Sequence, residues 1–421
     1  MNVFKKNLSW IFVGNIAHAV LQFGLNIYCA RILGSSSFGI LNYCASLIAF
    51  FTAIGTLGYY GVITKLFADD EKDVGKYLGS AIISRIAFSL IAILALQLIV
   101  LFDENSDQNL QLIVFCQSLQ ILFSSADLFI YWFRYKNNAK RVAILRLLAF
   151  FFSALWRFIA IYIKSLELYS LGVSCEFMLF SIFLFKSYKK VNKTSPIAFD
   201  YSTTLKLLKL SYPFIVSSLL MTIYGQTDKI MLKGMIDFES VGLYSVSLTL
   251  AGAISIIPSA LIEGFRPDIM KYRNSNLQLY KRRFIQLYSL VFWGCITYGV
   301  VVTFFSRPLI QLLYGEQYLG AINSLSIIVW YTSFSYFGAI NNMYMVAEGK
   351  SFWIQIITLI GAVLNVVLNF FFIPFCGIVG AAIASLITQI FGNYILMYLI
   401  KPIRGGFKLL NEGIIFKWVK Q

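Results

Sequence analysis

Charge is what this sequence has least of. Only 13% of its 421 residues are Asp, Glu, Lys or Arg, while 59% are hydrophobic and 17% aromatic. An ordinary soluble domain carries roughly a quarter of its residues as charges, so a water-facing surface cannot be built here and a soluble globular fold is excluded. Long segments of strict apolar–polar alternation are also lacking, which excludes a transmembrane barrel. Histidine occurs once, at His18, too seldom for a His-rich metal centre or most His-dependent triads. The six cysteines (Cys29, Cys44, Cys116, Cys175, Cys295 and Cys376) are scattered through apolar runs with no CxxC. They form neither a disulfide framework nor a metal site and read as small buried hydrophobes. A GxxxxGK[ST] phosphate loop is missing, and the loops are too short to hold a nucleotide domain. No cofactor and no metal ion are therefore expected.

What is present is a succession of long, continuous apolar runs. At about 35 residues per span and loop, the chain accommodates about twelve membrane-crossing helices. They are placed near 8–32, 39–64, 78–101, 110–133, 142–163, 166–186, 209–232, 241–262, 284–305, 320–346, 352–373 and 377–400. The first run is longer than the apolar region of about 7–15 residues in a secretory signal, so it reads as a retained span. The longest loop is polar, basic and interrupted by Pro196, as expected of a linker. The fold class is thus an all-α polytopic membrane protein of two six-helix bundles, 1–190 and 209–400. A cytoplasmic linker (191–208) joins them and a basic tail (401–421) follows.

The net charge of +16 does not indicate nucleic acid, because the basic residues flank apolar runs instead of forming one domain. With the N-terminus inside, alternate loops collect nearly all of them. These are Lys5, Lys6, Lys65, Lys72, Lys76, Arg134, Lys136, Lys140, Arg141, Lys186, Lys189, Lys190, Lys193, Lys206 and Lys209 in the first half and linker. The second half adds Arg266, Lys271, Arg273, Lys281, Arg282, Arg283, Lys350, Lys401, Arg404, Lys408, Lys417 and Lys420. The outside set is only Arg31, Lys164, Lys233 and Arg307. The positive-inside rule then predicts two cytoplasmic termini.

An internal repeat is visible. Phe38-Gly39-Ile40-Leu41 aligns with Val241-Gly242-Leu243-Tyr244, and the same offset places Gly61 on Gly264. The copies are separated by an even number of spans, so they run parallel. Two bundles related by a pseudo-two-fold axis along the membrane normal, facing each other across a cavity, are expected.

Polar groups within spans are costly in hydrocarbon and face a cavity or a partner. Asn15, His18, Gln22 and Asn26 recur at helical spacing on one face of the first span, with Arg31 near its outer end. They read either as cavity lining or as hydrogen-bonded contacts between helices. In the seventh span Thr222, Gln226, Asp228 and Lys229 recur in the same way, with Lys229 either inward or snorkelling. Arg157 lies deep in span five. Arg85 and Arg146 lie nearer the cytoplasmic ends of their spans and read as snorkelling side chains or as ion-pair partners of Asp127. Glu263 and Arg266 mark an inner mouth as an interfacial pair or a coupling pair. Cations outnumber anions among these residues, which suits a substrate carrying phosphate and many hydroxyls.

Arg31-Ile32-Leu33-Gly34 followed by Phe38-Gly39 resembles the signature after the first helix of polysaccharide (O-antigen, Wzx-type) flippases. Those proteins belong to the multidrug/oligosaccharidyl-lipid/polysaccharide exporter superfamily. Pro213, then Asp228-Lys229, then Gly242 and Tyr244 are similar to that family's second-half pattern. Ser35–Ser37 depart from it where relatives carry Pro and a carboxylate. The resemblance implies that an undecaprenyl-diphosphate-linked oligosaccharide is flipped from the cytoplasmic to the outer leaflet of the inner membrane by alternating access. The pathway would be O-antigen or another surface polysaccharide. Its other partners would be membrane lipids and, functionally, the polymerase and chain-length proteins of that pathway. The competing readings are a multidrug or organic-cation exporter of the same fold and an integral-membrane polysaccharide-modifying enzyme.

Overall fold

The structure is a computed structural model and describes residues 3–69, 73–103, 106–191 and 196–415, with side chains described at residue 10 and from residue 13 on. Of the basic residues used for orientation, Lys72, Lys193, Lys417 and Lys420 lie outside the described residues, and Lys5 and Lys6 lie outside the described side chains. Among the described residues the fold is helical throughout. The first helices are α1 (Val3–Leu33), α2 (Ser35–Gly55), α3 (Ile63–Asp69), α4 (Val74–Leu101), α5 (Gln108–Phe123), α6 (Leu128–Tyr135), α7 (Ala139–Ile163) and α8 (Leu166–Val191). Then come α9 (Tyr201–Met235), α10 (Phe238–Gly252), α11 (Ile256–Ser275), α12 (Leu277–Phe304), α13 (Ser306–Leu313), α14 (Ile322–Ala347), α15 (Phe352–Ile390), α16 (Leu396–Leu399) and α17 (Arg404–Ile414).

Among the described residues ten helical stretches are long and apolar enough to cross a membrane. The last, Phe352–Leu399, covers 48 residues, about 70 Å if straight and far more than one crossing needs. It is a hairpin. Gly377 has φ 57° and ψ −135°, a conformation open essentially to glycine alone. A methyl group added at Gly380 would sit 2.2 Å from the Phe372 carbonyl oxygen. Asn365 and Ser385, which would lie about 30 Å apart along a straight helix, are hydrogen-bonded at 3.3 Å. Helix α14, at 26 residues, is long enough to cross but is diluted by tyrosine, serine and asparagine. Counting it and both arms of the hairpin recovers the twelve spans expected.

The chain divides into two compact units, Met1–Gln226 and Thr227–Gln421. Their boundary falls inside α9, beyond the polar linker. The repeat survives at the level of elements. The offset that aligns Phe38 with Val241 also carries the start of α2 (Ser35) onto that of α10 (Phe238), and the start of α4 (Val74) onto that of α12 (Leu277).

Local signals explain the helix ends. Asp107 accepts from the Leu110 N–H, Asp237 from the Ser240 N–H, and Asn276 from the Gln278 and Leu279 N–H groups. Each satisfies donors that the first helical turn leaves unpaired. Gly34, at φ 87°, turns α1 into α2 within one residue, so the serines at 35–37 begin a helix and do not disturb the turn.

Helix faces are sorted for lipid outside and polar groups within. On α4, Ile83, Leu90, Leu94 and Leu98 are exposed while Ser80, Ser84, Arg85 and Ser89 are buried. Lipid tails are as apolar as leucine, so small residues and hydrogen bonds hold such helices together. Gly172, for example, admits Arg157 Cγ and Trp156 Cδ1, each 2.7 Å from where its Cβ would stand. Two aromatic cores anchor the units. One is built around Tyr59, Phe67, Phe129, Trp132 and Tyr188, the other around Tyr280, Phe284, Tyr288, Phe337 and Tyr344.

Candidate functional site

Residues of the first unit line an open cavity of about 630 Å³, within the size range of small-molecule sites. Helix α1 presents His18, Gln22 and Asn26 to it, α2 presents Asn42 and Thr52 with Thr56 just past its end, and α5 presents Gln117 and Gln120. Helix α7 supplies Arg146 and Arg157, α8 supplies Tyr169, Glu176, Phe177 and Phe180, and α9 supplies Ser218 and Thr222. Asp127 joins them from the turn between α5 and α6. Repetition at three and four residues along each helix places these groups on one face.

At the centre Arg157, 1% exposed, donates from Nη2 to Glu176 Oε2 at 2.6 Å. The other carboxylate oxygen of Glu176 is 2.8 Å from His18 Nε2. Arg157 Nη1 donates to Gln22 Oε1 at 3.3 Å, and Gln22 Nε2 donates to Asn26 Oδ1 at 3.1 Å. Phe150 lies beneath the guanidinium, 5.2 Å from its centroid, and meets the His18 ring edge-on at 5.0 Å. The stripe on α1 is therefore held from α7 and α8, which fixes its rotamers and balances the buried charge. A second group surrounds Asp127, which feels the charges of Arg85, Arg146 and Arg134.

Three sequence expectations change here. Arg85 does not snorkel: it is 3% exposed and its Nη2 reaches Ser124 Oγ at 3.5 Å. Arg31 is exposed at the end of α1, and Asn15 lines a separate recess of about 30 Å³ beside Arg134 and Arg146. The surplus of cations also disappears from the cavity. Its arginines, Arg146 and Arg157, face two carboxylates, Asp127 and Glu176. Glu176 is the residue sequence reasoning missed, although an acid amid the apolar run of α8 was the signal. Gln117, Gln120 and Asn42 were missed as well, being ordinary amides on predicted spans.

Thr222 lines the cavity, and the other seventh-span residues go elsewhere. Gln226 accepts from Ser46 Oγ at 2.9 Å within the first unit. In the second unit Asp228 is 6% exposed and accepts three hydrogen bonds of 2.6 Å, from the Tyr244 hydroxyl, Ser385 Oγ and Asn369 Nδ2. Asn369 also donates to Asn365 Oδ1 at 3.1 Å. Asp228 thus ties α9 to α10 and to both arms of α15. Lys229 is half-buried beside it and does not line the cavity. Glu263 and Arg266 form an exposed bidentate pair three residues apart, at 2.7 and 3.1 Å. Of the motif residues, Phe38 lines the cavity, Gly39 and Gly242 are buried at helix contacts, Leu33 is half-buried beside the Gly34 turn, and Pro213 stands on the exposed side of α9.

Comparison with known proteins agrees with this architecture. The polysaccharide biosynthesis protein family matches residues 4–264. The chain is 24% identical over 411 residues to the probable flippase AglR of Haloferax volcanii, covering 93% of this chain and 80% of the relative. It is 24% identical over 397 residues to the capsular polysaccharide biosynthesis protein CapF of Staphylococcus aureus, covering 91% and 96%. A putative O-antigen transporter of Shigella flexneri is 23% identical over 208 residues, 49% of each chain. Among solved structures, the lipid II flippase MurJ in an inward closed conformation matches with a TM-score of 0.74 at 17% identity, covering 97% of this chain and 91% of that one. An inward-facing multidrug resistance MATE transporter of the MOP superfamily matches with a TM-score of 0.69 at 13% identity, covering 93% and 96%. The polar cavity within an apolar helical bundle, the paired motifs and these relatives converge: the chain belongs to the polysaccharide biosynthesis protein family, a group of multi-pass membrane transporters that includes polysaccharide flippases.

Proposed function

We propose that the protein flips an undecaprenyl-diphosphate-linked oligosaccharide repeat unit from the cytoplasmic to the outer leaflet of the inner membrane by alternating access. The pathway is synthesis of O-antigen or another surface polysaccharide. The observation that carries this reading is the cavity of about 630 Å³ lined by amides, hydroxyls and paired charges in a chain that is 59% hydrophobic. Such a lining suits a hydroxyl-rich headgroup that hydrocarbon rejects, while the polyprenyl tail stays in lipid. Arg146 is an exposed cation on the cavity wall and borders the recess holding Arg134. It is the side chain best placed for the diphosphate, which guanidinium groups hold in bidentate fashion. The distribution of basic residues supports cytoplasmic termini. A polymerase and a chain-length protein would act on the flipped product.

The test is a reconstituted system. Proteoliposomes carry a fluorescent polyprenyl-diphosphate oligosaccharide in both leaflets, and an impermeant lectin captures the sugars facing outward. The reading predicts that protein draws the inner pool out, leaving none protected. A protected pool identical to that of protein-free vesicles, with export of a cationic dye instead, would assign the chain to drug transport.

A further inference from the structure

Helix α17, in the second unit, carries its cations opposite the face it buries. Gly406, Leu409, Leu410 and Gly413 are buried. A methyl group added at Gly406 would sit 2.6 Å from Met397 Cε, and one at Gly413 would sit 2.8 Å from Tyr288 Cβ, so the helix is seated tightly. Arg404 and Lys408, four residues apart, lie on the other side, with Lys401 about one turn before them. Lys401 and Lys408 are exposed and Arg404 is half-buried. None of the three makes an ion pair with a described residue, whereas Arg273 and Arg283 of the same unit are held by Glu348 and Asp268 at 3.0 and 3.3 Å. Arg404 is also fixed in direction. Its Nε donates to the Tyr398 carbonyl oxygen at 2.7 Å, and its guanidinium lies 4.9 Å from the centroid of the Tyr398 ring. Tyr398 and Leu399 end a membrane-crossing stretch and are 50% and 54% exposed. The outer edge of the fork, Nη1 and Nη2, is left open beside a lipid-facing aromatic side chain. Arg282 is exposed and unpaired too, but no contact to a described residue holds its fork.

We propose that Lys401, Arg404 and Lys408 bind the phosphate of an anionic phospholipid, with Arg404 as the residue that orients it. The proposal does not rest on the flippase reading. A planar fork holds two phosphate oxygens at once through Nη1 and Nη2, while the flanking ammonium groups add charge without fixing direction. Tyr398 sets the level. Tyrosine and long cationic side chains gather at the membrane–water interface, where lipid phosphates lie. The acyl chains then run past exposed Tyr398 and Leu399. An anionic headgroup is favoured over a zwitterionic one, because the latter brings its own cation to a site that already holds three.

The test is photolabelling of the full chain in phosphatidylcholine nanodiscs. The probe is a trace of phosphatidylglycerol with a diazirine near its headgroup, and labelled residues are mapped by peptide mass spectrometry. Label is expected on the segment 398–408. Unlabelled phosphatidylglycerol should displace it about tenfold more effectively than added phosphatidylcholine, and soluble glycerol phosphate should not displace it. Arg404→Gln is expected to lower labelling of this segment about fivefold. Arg404→Lys should lower it nearly as much, because an ammonium group keeps the charge but not the fork. Labelling of other segments by the same variants should be unchanged, which shows that they are folded, and the wild-type competition needs no variant. Equal displacement by the two phospholipids overturns the proposal. So does an Arg404→Lys variant labelled as strongly as wild type, which would leave only unspecific attraction to charge. Displacement by glycerol phosphate as effective as that by phosphatidylglycerol would assign the site to a soluble phosphate and overturn the lipid.

Discussion

Arg157 is the side chain on which the polar network of the first unit depends. It joins α7 to α1 through Gln22 and to α8 through Glu176. Removing one partner of a buried ion pair leaves the other charge uncompensated, so Arg157→Met should destabilise the protein by about 3–5 kcal/mol. Arg157→Met combined with Glu176→Leu should recover most of that loss. Thermal unfolding in detergent checks both, and a double variant as unstable as the single one would remove the pair from the account. Asp228 makes the parallel case with neutral partners. Asp228→Ala strands the Tyr244 hydroxyl, Ser385 Oγ and the Asn369 amide, at about 1–3 kcal/mol for each group left unsatisfied. The His18–Gln22–Asn26 stripe was legible because helical spacing puts those residues on one face. Its partner was not, because Glu176 lies 158 residues from His18 in the chain and only tertiary packing brings the two together. Asp228 was legible as a buried acid but not as a satisfied one, since Asn369 and Ser385 are equally remote.

Among the elements, α15 shows where sequence periodicity stops being informative. Two apolar runs, 352–373 and 377–400, were expected from hydropathy, and the structure joins them through Gly377 without an ordinary loop. Any side chain at Gly377 is strained there, so Gly377→Ala should cost about 1–3 kcal/mol. Gly380→Ala should push the hairpin arms apart and weaken the Asn365–Ser385 contact. Both would appear as lowered melting temperatures, and an unchanged Gly377→Ala variant would contradict the hairpin geometry. The start of α9 gives a pH-dependent case. The Asp200 carboxylate accepts from the Ser202 and Thr203 hydroxyls and the Thr203 N–H, which holds its pKa at about 2. Because the folded value is depressed, its stabilisation is complete above the ordinary carboxylate range near ~4 and is lost as pH falls towards 2. The Asp200→Asn variant should show a flatter melting temperature across that window, and a slope identical to the wild type would exclude the cap.

For the molecule as a whole, most of the architecture was written in composition, run length and the spacing of the two half-chain motifs. What composition could not supply was the cavity's charge balance, which depends on which side of each helix a polar group faces. Orientation can be read directly. In a cysteine-free background, an impermeant maleimide applied to intact cells should label Arg307→Cys and spare Lys408→Cys; the reverse pattern would invert the topology. The central claim is that the polar cavity of the first unit carries the glycan across the bilayer. Its most direct measurement is the initial rate of lectin capture of a fluorescent polyprenyl-diphosphate oligosaccharide from proteoliposomes. Wild type is compared with a folded variant combining Gln117→Leu, Thr52→Val and Gln120→Leu. The account predicts that the wild type exceeds the variant at least about tenfold, the effect of losing 1.4 kcal/mol or more of headgroup interaction. Equal rates for the two proteins, both above protein-free vesicles, would place the transport path outside this cavity.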